Sequence, residues 1–248
     1  ILAAIVISAI VAGIFGIIIG IPALRLRGDY LAIVTLAFGE IIRNVINCLY
    51  ISLDGQRLHI AFNNPNVAGK LLVNGPAGAT GVNKMATFGM GFALTLFTLF
   101  VVLNLIDNRS GRAIMAIRDN PIAAQSVGLN LTKYKLMAFV TSAALAGAAG
   151  ALYGLNYSSL QSVKFNFNTS ILVLVFVVLG GLGNIWGSLL SAAALTILPE
   201  ALRQFADYRM LVYAIVLIFV MLATNNPRLK AFFAKLLPRR HSAEEKEV

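Results

Sequence analysis

The chain has 248 residues, of which 58% are hydrophobic and 12% charged, with a mean hydropathy of +0.82. Such values lie outside the range of a soluble globular domain and describe a polytopic membrane protein. The net charge of +10 does not indicate nucleic acid, because no aromatic platforms alternate with basic clusters in a polar segment; nor does one cysteine, Cys48, permit a disulfide framework or a multi-cysteine metal site.

At about 20 apolar residues per crossing, the hydrophobic runs predict helices near 1–23, 30–53, 85–106, 136–156, 169–183, 187–202 and 209–224. The expected fold is all-α, a polytopic transmembrane helical bundle of seven spans forming one domain over 1–248, with a tail at 225–248. The first run opens at Ile1-Leu2 without an initiator Met, as in a fragment or a processed chain, and further spans are expected upstream. It carries Gly13, Gly16 and Gly20. The same i, i+3, i+7 spacing returns at Gly147, Gly150 and Gly154 and at Gly180, Gly183 and Gly187, giving three segments a flat face. In lipid, small residues let helix backbones approach closely. Tight packing is the plain reading of these faces, and hinge-like sliding during a conformational cycle the sharper one.

The second run holds Glu40 and Arg43, three apart and so on one helical face, followed by Asn44 and Asn47. Glu40 lies ten residues past Tyr30, roughly 15 Å into the membrane, where a lone charge is costly and pairing is expected. Two roles stay open: an internal ion pair holding the bundle, or a lining of a substrate path to which Thr35 and Asn47 add hydrogen bonds. Cys48, in the same run, is expected to be a small buried side chain. The stretch 54–84, rich in Asn and Gly, resembles an ordered external loop.

Between the third and fourth runs lies Gly111-Arg112 through Asn130. Asp119 or Asn120 is placed to cap a short helix and Pro121 suits its first turn. Gly128 supplies the left-handed residue that ends it. The body, Ile122, Ala123, Ala124, Gln125, Ser126 and Val127, is small-sided and half apolar, which suits docking in a groove. With Arg118 leading into it, this segment is a handle for a partner in water. Apart from Arg43 within a span, Lys and Arg residues divide thirteen against six between the two sides of the predicted map, with the loop 107–135 and the tail on the basic side, which places both in the cytoplasm.

Farther on, Gly180, Gly181, Gly183, Asn184 and Gly187 mark either a tight cytoplasmic turn or an unwound stretch at membrane depth, and the parity of the basic tail favours the turn. No catalytic constellation is visible. His59 and His241 lie far apart in the chain, and no H-E-x-x-H, G-x-S-x-G or Walker A pattern occurs. Within the spans only Glu40 lies deep, with Glu200 after Pro199 near a span end. An ion-coupled carrier usually distributes carboxylates or histidines over several spans, so energy is expected from a partner.

The runs Pro22-Ala23-Leu24-Arg25-Leu26-Arg27-Gly28-Asp29-Tyr30 through Arg43, Gly111-Arg112 through Gly128, Lys135 through Gly154, and Val178-Leu179-Gly180-Gly181-Leu182-Gly183-Asn184-Ile185-Trp186-Gly187 together resemble the LivM-type permease of branched-chain amino acid ABC importers. The resemblance covers nearly the whole chain in order. It implies an inner-membrane subunit, not itself an enzyme, that translocates leucine, isoleucine or valine. Its partners would be a second, LivH-type permease, two cytoplasmic ABC ATPases that bind ATP and Mg, a periplasmic substrate-binding protein and membrane lipid. This chain would carry no cofactor or metal of its own. Asn120–Gly128 would be the coupling helix seated in an ATPase groove. Related importers of urea or short amides share much of the pattern. An ATP-independent secondary carrier or channel is the competing class, in which the loop helix would be a surface brace.

Overall fold

The computed structural model describes residues 1–26, 29–54, 57–62, 70–157 and 159–201, together with Ile215 and Ile218. The expected tail at 225–248 and the loop at 203–208 lie outside the described residues, as does the seventh span apart from those two helical isoleucines. The chain falls into two compact units, Ile1–Phe167 and Asn168–Val248.

Among the described residues, four helices are long and apolar enough to cross a membrane. They are α1 (Leu2–Ala23), α2 (Asp29–Asn47), α3 (Phe88–Asp107) and, after two short helices in between, α6 (Leu131–Asn156). The short helices are α4 (Arg109–Asp119) and α5 (Pro121–Ser126). The segment 107–135 is therefore not one loop with a single short helix. It holds two helices and the first turn of α6, which starts at Leu131 because the Asn130 carboxamide oxygen accepts from the Lys133 N–H at 3.1 Å.

The predicted span 30–53 is also corrected. The helix stops at Asn47 and residues Leu49–Asp54 form strand β1. The run Leu49-Tyr50-Ile51-Ser52-Leu53 is apolar enough to extend a span by hydropathy, but it has the period-two pattern and β-formers of a strand. It sits at the centre of an antiparallel sheet between β2 (Arg57–Phe62) and β3 (Lys70–Asn74), in the order β2-β1-β3. Ile51 lies opposite Ile60 on one side and Val73 on the other. Cys48, at the junction of helix and strand, is exposed and not buried.

A second, two-stranded sheet pairs β4 (Ala79–Thr80) with β5 (Ser159–Leu160). It ties the segment before α3 to the segment after α6. The N–H groups of Met85 and Ala86 both donate to the Leu155 carbonyl, at 3.1 and 3.3 Å. These links put both sheet-bearing segments at one end of the α3 and α6 helices, with α4 and α5 at the other. The basic residues Arg109, Arg112, Arg118, Lys133 and Lys135 thus collect at the end opposite the sheets.

Helices α1 and α6 pack antiparallel along most of their length. Gly13, Gly16 and Gly20 are buried on α1, where added Cβ atoms would meet Ala144, Ala143 and Leu136 in turn. The Ser8 hydroxyl donates to the Gly147 carbonyl at 2.7 Å across this contact. Water is not there to drive two apolar helices together, so close backbone approach and an interhelical hydrogen bond take that part.

The second unit holds α7 (Phe167–Gly180) from its second residue onward, 14 residues in all, and α8 (Ile185–Ala201), which has 17. At 1.5 Å per residue these are about 21 and 26 Å long, against a hydrocarbon core of about 30 Å. A tight turn joins them. Gly181 and Gly183 take φ +92° and +89°, and the Asn184 side chain accepts from the Gly187 N–H at 3.2 Å. Gly183 is therefore a turn residue and not part of a helical stripe. Gly180 and Gly187 do meet: a Cβ on Gly187 would fall 1.9 Å from the Gly180 carbonyl oxygen.

Candidate functional site

The α4–α5 segment is held by local chemistry. Asn120 serves as both the last residue of one helix and the first cap of the next. Its N–H donates to the Ala116 carbonyl at 3.0 Å, and its side-chain oxygen accepts from the N–H groups of Ile122 and Ala123, at 3.1 and 3.0 Å. Pro121 follows in the first turn, where its missing N–H costs nothing. At the far end Gly128 takes φ +85°. Its N–H donates to the Gln125 carbonyl at 3.0 Å and the Leu129 N–H to the Ala124 carbonyl at 3.1 Å, the paired bonds of a Schellman ending. Of the two predicted caps, Asn120 does the capping. Asp119 instead pairs with Arg118 at 3.0 Å on the surface.

Only Ala124 of α5 is buried, turned back toward α4 and α6. Ile122 and Val127 are 81% and 80% exposed, and Ala123, Gln125 and Ser126 are exposed between them. A six-residue helix gains too little from its own backbone to persist alone. Here it is fixed at both ends and presents two large apolar side chains to its surroundings, at the basic end of the bundle.

Helix α4, absent from the expected map, carries this display. Ala113 and Ile117 are buried on one side of it, and Gly111 is buried on another, against the end of α3. One extended residue, Asn108, separates it from α3. A Cβ at Gly111 would fall 2.1 Å from the Leu105 carbonyl oxygen and 2.5 Å from that of Ile106. The Arg112 guanidinium donates to the Asp107 carbonyl at 3.0 Å. The one signal in the chain was Gly111 itself, since a glycine inside a polar helical stretch is unfavourable unless space demands it.

In α2 the predicted pair forms: Arg43 donates through Nε to Glu40 at 2.8 Å, with the second contact at 2.6 Å. Both side chains stay partly exposed in the chain by itself. Asn47 lies on the same face, two turns from Glu40, and its side-chain oxygen accepts from the Ser162 hydroxyl. This ties the end of α2 to the 3-10 turn Ser162–Lys164. Thr35 is not brought to the group. It lies about 140° around the helix from Glu40, and its hydroxyl is directed to the Leu31 and Ala32 carbonyls at 2.9 and 3.0 Å.

The glycines of α6 divide by surroundings. A Cβ on Gly147 would lie 2.4 Å from Ala12 Cβ, whereas one on Gly150 would meet nothing within 4 Å. Gly150 and Gly154 line an open cleft of about 400 Å³ with Ala4, Ser8, Leu160 and Phe165. Among the described residues no three His, Cys, Asp or Glu side chains come together as metal ligands. His59 is exposed on β2, and His241 lies outside the described residues.

Residues 1–221 match the family described as branched-chain amino acid transport system / permease component. The chain is 32% identical to the high-affinity branched-chain amino acid transport system permease protein LivM of Salmonella typhimurium, over 87% of this chain and 54% of that protein. It is equally similar, with the same coverage, to LivM of Escherichia coli. The LivH permease of Escherichia coli is 30% identical over 56% of this chain and 43% of its own length. The chain thus spans about half the length of the LivM relatives it matches. No solved structure matches. The extent of the family match and the helical membrane fold lead to one conclusion: this chain belongs to the branched-chain amino acid transport system permease family.

Proposed function

We propose that the chain is a membrane-spanning permease subunit of an ATP-driven importer of branched-chain amino acids, set in the bacterial inner membrane with its basic end and C-terminal tail in the cytoplasm. Two cytoplasmic ATPases bind ATP and Mg and supply the energy. A second, LivH-type permease completes the pathway, and a periplasmic binding protein delivers leucine, isoleucine or valine at the sheet end. The observation that carries the reading is α5, a short helix capped at both ends, with Ile122 and Val127 about four-fifths exposed at the basic end of a bundle from this family. Such a helix seats in an apolar groove, and its caps make it stiff enough to transmit force. Glu40, Arg43 and Asn47 face the substrate path as a charged and amide-bearing strip on α2.

The test is uptake by the complete importer reconstituted in proteoliposomes. Radiolabelled leucine should accumulate with ATP and the binding protein inside the assay, and competition by isoleucine and valine should exceed that by urea or acetamide. Uptake that follows a proton gradient and ignores the ATPases would replace the reading with a secondary carrier.

A further inference from the structure

We infer that the joint between α3 and α4, closed by Gly111 and Arg112, is the rigid link through which movement of α5 reaches the membrane helices. The inference rests on the proposed function. It adds two positioning residues that lie outside the docking helix itself.

Three observations place the link there. First, α4 begins one extended residue after α3 ends, so there is no slack between them to absorb a displacement. Second, Gly111 brings the first turn of α4 against the last carbonyls of α3 so closely that one methyl group would overlap the Leu105 and Ile106 oxygens, at 2.1 and 2.5 Å. Gly111 lies in ordinary helix and lacks the positive φ of Gly128, so conformational freedom does not explain it. Glycine inside a helix is unfavourable relative to alanine, and the close approach is what it gives in return.

Third, the Arg112 guanidinium bonds the Asp107 carbonyl at 3.0 Å. Carbonyls in the last turn of a helix have no intrahelical partner and carry the negative end of its dipole. A cation there closes the joint from the solvent side while Gly111 closes it from the inside. Beyond the joint, α4 buries Ala113 and Ile117, packs on α6, and passes directly into α5 through the doubly used Asn120. Helices α4 and α5 therefore move with the end of α3, and a push on Ile122 and Val127 becomes a shift of α3.

The experiment uses the complete importer in proteoliposomes and reads leucine transported per ATP hydrolysed. Gly111→Ala is expected to leave assembly and ATP hydrolysis in place while lowering that ratio about tenfold, within the usual range of coupling between sites. Arg112→Gln is expected to lower it by about threefold, in keeping with one cation at a helix end, and Arg112→Lys to restore most of the loss. A role in stability alone would lower the amount of assembled complex and leave the ratio where it was.

Should Gly111→Ala fail to assemble, spin labels at Phe100→Cys and Ser126→Cys in a Cys48→Ser background give a second readout. The distance should remain one narrow distribution with and without nucleotide. A distribution that shifts with nucleotide in the otherwise wild-type importer, or an unchanged transport ratio in assembled Gly111→Ala, overturns the link. Absence of ATP-driven uptake by the wild-type importer would instead defeat the proposed function.

Discussion

Gly147 and Gly150 stand one helical turn apart on α6 and are predicted to respond in opposite directions to the same methyl group. A Cβ on Gly147 meets Ala12 Cβ at 2.4 Å and the Ser8 carbonyl oxygen at 2.7 Å. Carbon atoms rest at about 3.5–4.0 Å, so Gly147→Ala drives α1 and α6 apart by roughly 1 Å and stretches the Ser8 hydrogen bond. Overpacking costs about 1–3 kcal/mol, and an interhelical hydrogen bond in a membrane contributes about 0.6 kcal/mol. Alanine returns up to about 1 kcal/mol of helix propensity, leaving Gly147→Ala destabilised by roughly 0.6–2.6 kcal/mol. At Gly150 the added Cβ finds nothing within 4 Å, so only the propensity gain of up to about 1 kcal/mol remains. Thermal or SDS unfolding in nanodiscs measures both variants against wild type. Equal shifts, or a more stable Gly147→Ala, would refute the packing described for α1 and α6.

Other outcomes follow from the same geometry. Asn120→Ala removes the acceptor for two N–H groups and costs about 1 kcal/mol, so amides of Ile122 to Ser126 should exchange about fivefold faster while those in the middle of α6 do not change; uniform exchange would contradict the cap. Glu40→Gln leaves Arg43 without its partner and should lower stability by on the order of 1 kcal/mol, allowing for the partial exposure of the pair. The double variant Glu40→Gln/Arg43→Met should recover most of that loss in the same unfolding assay, and equal effects of the single and double changes would argue against pairing.

The legible parts of this chain are those set by short-range chemistry. Asn120, Pro121 and Gly128 declare a short helix because capping is decided within four residues, and Glu40 and Arg43 declare a pair because a three-residue step fixes their face. Leu49–Asp54 was open to misreading because hydropathy counts apolar side chains and takes no account of the partner strands β2 and β3, which lie later in the chain. Cys48 follows it out to the exposed junction. Thr35 is polar and near Glu40 in sequence, yet a five-residue step turns it to another side of α2 and its own helix takes its hydroxyl. Gly111 was visible only as a glycine. Its purpose lies in the carbonyls of Leu105 and Ile106, which come under it only when α4 folds back on α3. The three glycine stripes share a spacing but not a role: Gly147 packs, Gly150 borders a cleft and Gly183 turns the chain.

In the proposed importer, α5 is the contact to an energy-supplying partner. The direct measurement is disulfide crosslinking of Ser126→Cys, in a Cys48→Ser background, to single cysteines along the groove of the partner ATPase, in membranes with and without nucleotide. Ser126 is exposed between Ile122 and Val127, so a specific crosslink is expected, with a yield that changes when ATP is added. Absence of a crosslink from Ser126 and from every other position between Ile122 and Val127, with the assembled importer present, would contradict it.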